Sequence, residues 1–132
     1  MQKPHPPVFL AAFSPAAMKR VAKYADGWHP VGMPFAAIGQ MWISIKEMAK
    51  EEGRDPGEMR LIIRGNLNLT DSPAGEGRWP FTGNKDEIKQ DIAAAKALQP
   101  EELVIDVTFS PGMKTADDFV STNEMLYSLA NA

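Results

Sequence analysis

The chain has 132 residues, of which 44% are hydrophobic and 23% charged, and its formal net charge is −3. This balance is typical of one soluble globular domain spanning residues 1–132. The absence of any basic cluster excludes nucleic acid as a partner, and the absence of cysteine excludes disulfides and thiolate metal sites. No apolar run approaches the roughly 20 residues of a membrane span, and Lys3 is not followed by an apolar stretch of the kind found in signal peptides. We therefore expect a cytoplasmic protein without membrane contact.

Four strand–helix units follow one another along the chain. Short apolar runs bounded by Pro and Gly predict strands over residues 8–12, 28–31, 60–69 and 102–108. Residues at three- and four-residue spacing predict a helix after each strand, with starts at Pro15, at Pro34, after Asn84 and after Thr115. Residues 70–83 hold three Gly and two Pro, which predicts a long loop of the kind that often has a function.

Helix-capping residues mark three of these starts. Ser14 precedes Pro15 at the first helical position, where a missing amide costs nothing. Asn84 with Glu87 has the spacing of a capping box, and Thr115 with Asp118 starts the last helix.

Regular alternation of strands and helices predicts an α/β fold with a parallel sheet, because each helix carries the chain back to begin the next strand. Four units fit either an open doubly wound sheet or half of a TIM (β/α)8 barrel. In both folds, ligands bind at the carboxyl ends of the strands. The candidate loops there are residues 13–15, 31–34, 70–83 and 109–114.

The turn after the first strand is the best candidate anion site. The Ser14 hydroxyl, the first-turn amides of Ala16 and Ala17 and the positive end of the helix dipole converge there, and Lys19 and Arg20 lie nearby. Two interpretations stay open, since every helix has such an end. Either Ser14 only caps the helix, or the turn binds a phosphate.

Other polar residues also lie near strand ends. Arg64 either faces a cofactor site or forms a structural ion pair, and Asn66 and Asn68 either fix a heterocycle or satisfy nearby backbone. His29 is more typical of a packed residue than of an acid–base catalyst. Residues 79–81 form an exposed aromatic group that covers a flat ligand, contacts a partner chain or pins the loop.

Several common sites are absent from the sequence. It contains no nucleophile elbow, no Walker phosphate loop and no GxGxxG motif. No second His lies at metal-ligand spacing from His5 or His29, so we expect no metal site. Asp26 and Asp106 have no visible catalytic partner. The sequence therefore leaves the catalytic residues unknown.

Three segments, taken together, resemble the luciferase-like monooxygenase family. They are KPHPPVFLAAFSPAAMKRVAKYADGWHPVG, EEGRDPGEMRLIIR and FTGNKDEIKQDIAAAKALQPEELVIDVT, in the family's order and covering residues 3–108. The resemblance implies an eightfold βα barrel that binds FMN or the deazaflavin coenzyme. It also implies that the turn formed by Ala12, Phe13, Ser14, Ala16 and Ala17 holds the cofactor phosphate. Arg64, on the polar face of the third predicted strand, is a further candidate cofactor-binding residue. The segment Ala11-Ala12-Phe13 stands where the family more commonly has a Gly-Gly turn.

The family's chains are about twice this long, so the resemblance implies a C-terminal half-barrel. In relatives, the first four units supply the active-site His or Glu and much of the dimer interface. We therefore expect a flavin- or deazaflavin-dependent oxidoreductase or monooxygenase half that acts on a small organic substrate and is inactive alone. The alternative is a non-catalytic flavin-binding or structural half-barrel. In either case the open sheet edges predict a homo-oligomer or a complex with an N-terminal half-barrel.

Overall fold

The computed structural model describes residues 2–132, in which strands and helices alternate. The elements in chain order are β1 (Phe9–Leu10), α1 (Pro15–Tyr24), β2 (Gly27–Trp28), α2 (Phe35–Glu51), β3 (Arg60–Asn66), β4 (Asn68–Leu69), β5 (Thr82–Gly83), α3 (Lys85–Ala97), β6 (Glu102–Asp106) and α4 (Ala116–Ala130). A short 3₁₀ turn, Pro56–Glu58, joins α2 to β3.

The main sheet has the strand order β1-β2-β3-β6, and all of its neighbouring strands are parallel. Each strand therefore lies beside the strand of the preceding unit, whereas a doubly wound sheet reverses its order at a switch point. Right-handed crossovers in one direction place all the helices on one face, which is the arrangement of a barrel segment. The prediction of four parallel βα units forming half a barrel is confirmed, and the doubly wound alternative is wrong.

The two faces of the sheet differ in burial. Trp28, which is fully buried, stacks on Trp42 of α2 with a centroid distance of 6.4 Å, so this face lies against the helices. Leu61 is in register with Trp28 and is also buried, as is Ile63 two residues on. Arg64 alternates with them and lies on the opposite, inner face, where its side chain is 37% exposed.

The helix starts follow the caps predicted from the sequence. The Ser14 hydroxyl accepts from the Ala17 amide. Asn84 and Glu87 form a complete capping box at α3, and Thr115 and Asp118 form another at α4. These interactions span three residues, and they are therefore determined locally.

The strand boundaries differ from the predictions. The predicted strands 8–12 and 28–31 are shorter in the structure, and Val31 forms only an isolated bridge to Arg64. The predicted strand 60–69 is interrupted: β3 ends at Asn66, and Asn68–Leu69 forms a separate strand. This strand pairs with Thr82–Gly83, so the prediction that residues 70–83 are loop throughout is wrong at its last two residues.

The last predicted strand, residues 102–108, ends at Asp106. The Thr108 amide turns back to donate to Asp106 Oδ1 at 2.8 Å, and this local turn stops the strand.

Arg54, after the end of α2, closes the end of α1. Its guanidinium donates to the Ala22 and Ala25 carbonyls, both at 2.7 Å. These are among the last carbonyls of α1, which have no partner within the helix, and a cation is favoured at this end of the helix dipole. The contact fixes the first two helices against each other.

Candidate functional site

The turn between β1 and α1 brings together the residues predicted to hold a phosphate. Ala12 is 1% exposed, and its carbonyl accepts from Trp28 Nε1 at 3.2 Å. Phe13 is exposed, so its ring is not part of the hydrophobic core beneath the turn. Ser14 adopts an extended backbone, with its hydroxyl 3.3 Å from the Ala17 amide.

The donors that remain at this turn are few. Pro15 has no amide hydrogen, the Ala17 amide is bound to the Ser14 hydroxyl, and the Met18 amide donates to the Ser14 carbonyl. The Ala16 amide is therefore the first-turn donor that a ligand would meet, together with the Ser14 hydroxyl hydrogen. The capping interpretation of Ser14 is confirmed, and phosphate binding by this turn stays a prediction.

Arg64 forms an ion pair with Asp106, the last residue of β6. The ion pair predicted for Arg64 is present, and a place for Arg64 at a cofactor site stays a prediction. The hydroxyl and amide of Thr108, and then Arg64, lower the pKa of the Asp106 carboxyl. Asp106 is consequently ionised at neutral pH and balances the Arg64 charge.

A cavity of about 440 Å³ opens beside this ion pair, at the carboxyl ends of β2 and β3. Its walls come from β3, the start of α2 and the loops after β2, β4 and β6. They are mostly apolar and aromatic: Gly32, Met33, Phe35, Ile38, Ile63, Gly65, Leu67, Trp79, Pro80, Phe81, Phe109 and Pro111. Its polar groups are Arg64, Asn66, Asn68 and Thr82. An apolar cleft with a few converging polar groups is the usual form of a small-molecule site.

The aromatic group at residues 79–81 divides between the surface and the core. Trp79 is 64% exposed at the cavity rim, and Phe109 of another loop is also exposed there. Phe81 is 1% exposed, so the expectation of three exposed residues is wrong. Both Asn66 and Asn68 line the cavity and are exposed, and their side-chain amides form no hydrogen bond within residues 2–132.

Sequence reasoning missed the contacts that hold this loop. Arg78 and Asp91 form a bidentate ion pair, and the amides of Ala74, Gly75 and Asn84 lower the pKa of the Glu87 carboxyl by hydrogen bonding to it. One sequence signal could have indicated them: Glu87 and Asp91 are four residues apart, so they share one side of a helix, and the preceding loop contains a single arginine, Arg78.

His29 lies between β2 and the cavity loops, and its Nε2 atom is buried without a hydrogen-bond partner among the described residues. Burial, followed by repulsion from Arg64, lowers the pKa of the imidazole, and Glu102 acts in the opposite sense. The ring is therefore neutral at pH 7.

A lowered pKa makes the protein less stable in acid. As the pH falls through about 6.5, the unfolded chain takes up a proton on His29 before the folded chain does, so folding stability is lost. We expect the unfolding free energy in urea to fall between pH 7 and about pH 5.5, and His29→Gln to remove part of that fall. His5→Gln is the control, because His5 is exposed. An equal pH dependence in both variants would contradict the assignment.

None of the helices within residues 2–132 is long and apolar enough to cross a membrane. No group of three or more His, Cys, Asp or Glu side chains in the same residues is arranged to hold a metal ion.

The fold and the cavity define a class: half of a parallel βα barrel with an apolar cleft at the carboxyl ends of its strands. The sequence model of the luciferase-like monooxygenase family matches residues 1–75, which is more than half of the chain. The chain belongs to the luciferase-like monooxygenase family. No curated protein sequence matches it.

Solved structures share the fold at low sequence identity. An F420-dependent secondary alcohol dehydrogenase with an F420-acetone adduct is 11% identical, with a TM-score of 0.70 over 97% of this chain and 50% of its own. A riboflavin lyase with modified FMN and riboflavin is 10% identical, with a TM-score of 0.67 and coverages of 93% and 42%. A long-chain alkane monooxygenase is 13% identical, with a TM-score of 0.66 and coverages of 93% and 40%. The chain spans half or less of each of these proteins.

Proposed function

We propose that this chain is the cofactor-holding part of a luciferase-like oxidoreductase or monooxygenase. The observation that carries the proposal is the pairing of two features at one edge of the sheet: a helix N-terminal turn at Ser14 after β1, and an aromatic-walled cleft around Arg64 at the end of β3. Neighbours solved with FMN or F420 support a flavin-type cofactor. Such a cofactor, when bound, supplies hydride or electrons to a small organic substrate.

The spacing of the two features fits the shape of FMN or a deazaflavin coenzyme. β1 and β3 are separated by one strand, and two inter-strand spacings amount to about 10 Å. The sugar-alcohol chain of these cofactors joins a phosphate to a planar ring over a distance of this order. The Ser14 hydroxyl and the Ala16 amide would donate to the phosphate, with Ala12, Phe13 and Ala17 forming the turn.

The residues around the cleft suit the planar ring. Trp79 and Phe109 offer exposed aromatic surfaces on two loops that line the cavity, and aromatic stacking contributes to binding beyond buried area. Asn66 and Asn68 each carry an amide donor and an acceptor for the polar edge of a heterocycle. Arg64, already neutralised by Asp106, would donate hydrogen bonds to a carbonyl of that edge without favouring a net anion.

Ser14→Asp tests the phosphate site. Aspartate is also a good N-cap, so α1 is retained while the new charge repels a phosphate. We expect FMN affinity, measured by flavin fluorescence titration, to fall roughly tenfold or more, and the affinity for riboflavin, which lacks the phosphate, to be unchanged.

Asn84→Asp is the matched control, since it places the same charge at the cap of another helix. FMN affinity should survive this change. A parent chain that binds neither FMN nor the deazaflavin coenzyme would sink the proposed function. Equal effects of Ser14→Asp on FMN and riboflavin would refute the phosphate site alone.

The same proposal includes a covering partner for the inner face. In the described residues β1 and β6 are the outer strands of the sheet, and Val104 of β6 is 38% exposed on a barrel-inner position. Unpaired strand edges readily add further strands. The partner would be a second copy of this chain or an N-terminal half-barrel.

We expect sedimentation to show a dimer, or a complex after mixing with a relative's N-terminal half. Val104→Lys should weaken that association, whereas Val120→Lys, on the exposed side of α4, should not. A monomer that stays monomeric after mixing would contradict the covering partner. A stable dimer that binds flavin without turnover would favour the non-catalytic alternative.

A further inference from the structure

The long loop after β4 is closed at its base. The Asn68 amide donates to the Phe81 carbonyl at 2.8 Å, and the Thr70 amide donates to the Gly83 carbonyl at 2.9 Å. These bonds form the parallel pair of β4 and β5. The chain therefore leaves the sheet after Thr70 and returns beside its own starting point.

Helix α3 supplies two carboxylates, Glu87 and Asp91, that accept hydrogen bonds from residues of the long loop. Glu87 and Asp91 are four residues apart and lie on the same side of the helix. The Ala74 and Gly75 amides donate to the two oxygens of Glu87, both at 2.9 Å. Glu87 also accepts from the Asn84 amide at 2.9 Å, so the capping box of α3 and the anchor of the loop use one side chain.

The second carboxylate binds the part of the loop nearest the cavity. Arg78 donates to both oxygens of Asp91, at 2.6 and 2.9 Å, and these side chains are 15% and 10% exposed. The Phe81 amide donates to the same carboxylate at 2.7 Å, and Arg78 also donates to the Thr82 and Glu87 carbonyls. A bidentate, mostly buried pair of this kind restricts orientation as well as distance.

Phe81 anchors the loop from the cavity side. Its backbone has a φ of 61°, and its ring is buried against Gly65 and edge-on to Phe35. A Cβ on Gly65 would lie 2.1 Å from the Phe81 ring, so the glycine makes room for that ring. Trp79 is thus exposed between two fixed neighbours, Arg78 and Phe81.

We infer that Arg78, Glu87 and Asp91 are positioning residues that hold Trp79 at the cavity wall before any ligand binds. The loop is a fixed wall and not a closing lid. The inference rests on the proposed function only for the identity of the ligand, a planar ring that stacks on the indole. The anchoring itself is independent of that ligand.

Amide hydrogen exchange tests the anchoring in the free protein. We expect the Ala74, Gly75 and Phe81 amides to be protected, and Asp91→Asn to speed exchange at Phe81 on the order of 100-fold, as when a buried ion pair is broken. The amides of Ile62 and Ile63 in β3 should speed up much less than Phe81, which separates local release from global unfolding.

Asp86→Asn is the matched control, because it makes the same chemical change at an exposed position of the same helix. It should leave the loop amides unchanged. Arg78→Lys is the second variant: it keeps the charge and loses the forked geometry, so it should release Phe81 as Asp91→Asn does.

Fluorotryptophan NMR supplies a readout that a purely structural role would not move. The Trp79 resonance, assigned from Trp79→Phe, should broaden or shift in Asp91→Asn while Trp28 and Trp42 stay unchanged. Unprotected loop amides in the parent protein, or an unmoved Trp79 resonance in both variants, would overturn the inference. Protected amides and a shifted Trp79, in a protein that binds no flavin, would uphold the wall and refute the proposed function.

Discussion

Replacing Gly27 with alanine is expected to lower the unfolding free energy by about 3 kcal/mol, the upper part of the usual range for overpacking. A Cβ at this position would lie 2.0 Å from the Arg60 carbonyl oxygen and 2.8 Å from the Phe9 ring. The nearest atom belongs to the backbone of the paired strand β3, which cannot turn away as a side chain does. Urea unfolding of the parent and the variant measures the loss.

Gly39→Ala makes the same chemical change where there is room. A Cβ there would meet only the end of the Leu98 side chain, at 3.3 Å, within the helix α2. Alanine is the better helix former by about 0.5–1 kcal/mol, so this variant should be neutral or slightly stabilised. Equal losses at the two positions would show that close packing of β2 on β3 is not the cause.

Replacing Arg78 with methionine is expected to cost about 3–5 kcal/mol of stability. The change leaves the Asp91 carboxylate, whose side chain is 10% exposed, without its cation. A buried charge that has lost its partner destabilises the fold more than the removal of both charges does. Lys89 lies on the exposed side of α3, the helix that carries Asp91, so Lys89→Met removes a charge without this effect. Its unfolding free energy should stay within about 0.5 kcal/mol of the parent value.

The double variant Arg78→Met with Asp91→Leu separates these two causes. We expect it to recover most of the single variant's loss, because an apolar pair of similar volume needs no compensation. Part of the loss should remain, since the Phe81 amide has lost its acceptor. A double variant less stable than Arg78→Met would show instead that packing, and not the buried charge, dominates at this position.

The helix starts were predictable because each depends on residues within one turn. Ser14, Asn84 with Glu87, and Thr115 with Asp118 carry their capping groups at fixed sequence spacing. Four apolar runs separated by helices also predicted parallel strands. The ends of those strands were not predictable, because Asn68–Leu69 pairs with Thr82–Gly83 only after the long loop has folded back.

The candidate site divides in the same way. The position of Ser14 after a strand and before Pro15 already indicated a capped helix end at the carboxyl edge of the sheet. The ion-pair partner of Arg64 could not be predicted from the sequence, because Asp106 lies 42 residues away along the chain. The register of β3 with β6 brings the two side chains together. The cavity likewise needs loops that are distant in the chain.

By itself, the sequence determined that this protein is built from four βα units, three of whose helices begin with a side-chain cap, and it predicted a ligand site at the carboxyl ends of the strands. Local hydrogen bonding and hydrophobic periodicity suffice for those features. Only the tertiary structure decided that the strands run in chain order as a barrel segment, that Arg64 is neutralised by Asp106, and that Arg78 and Asp91 fix the aromatic wall. Each of these depends on contacts between separate elements, which arise only once the strands have paired and the helices have packed.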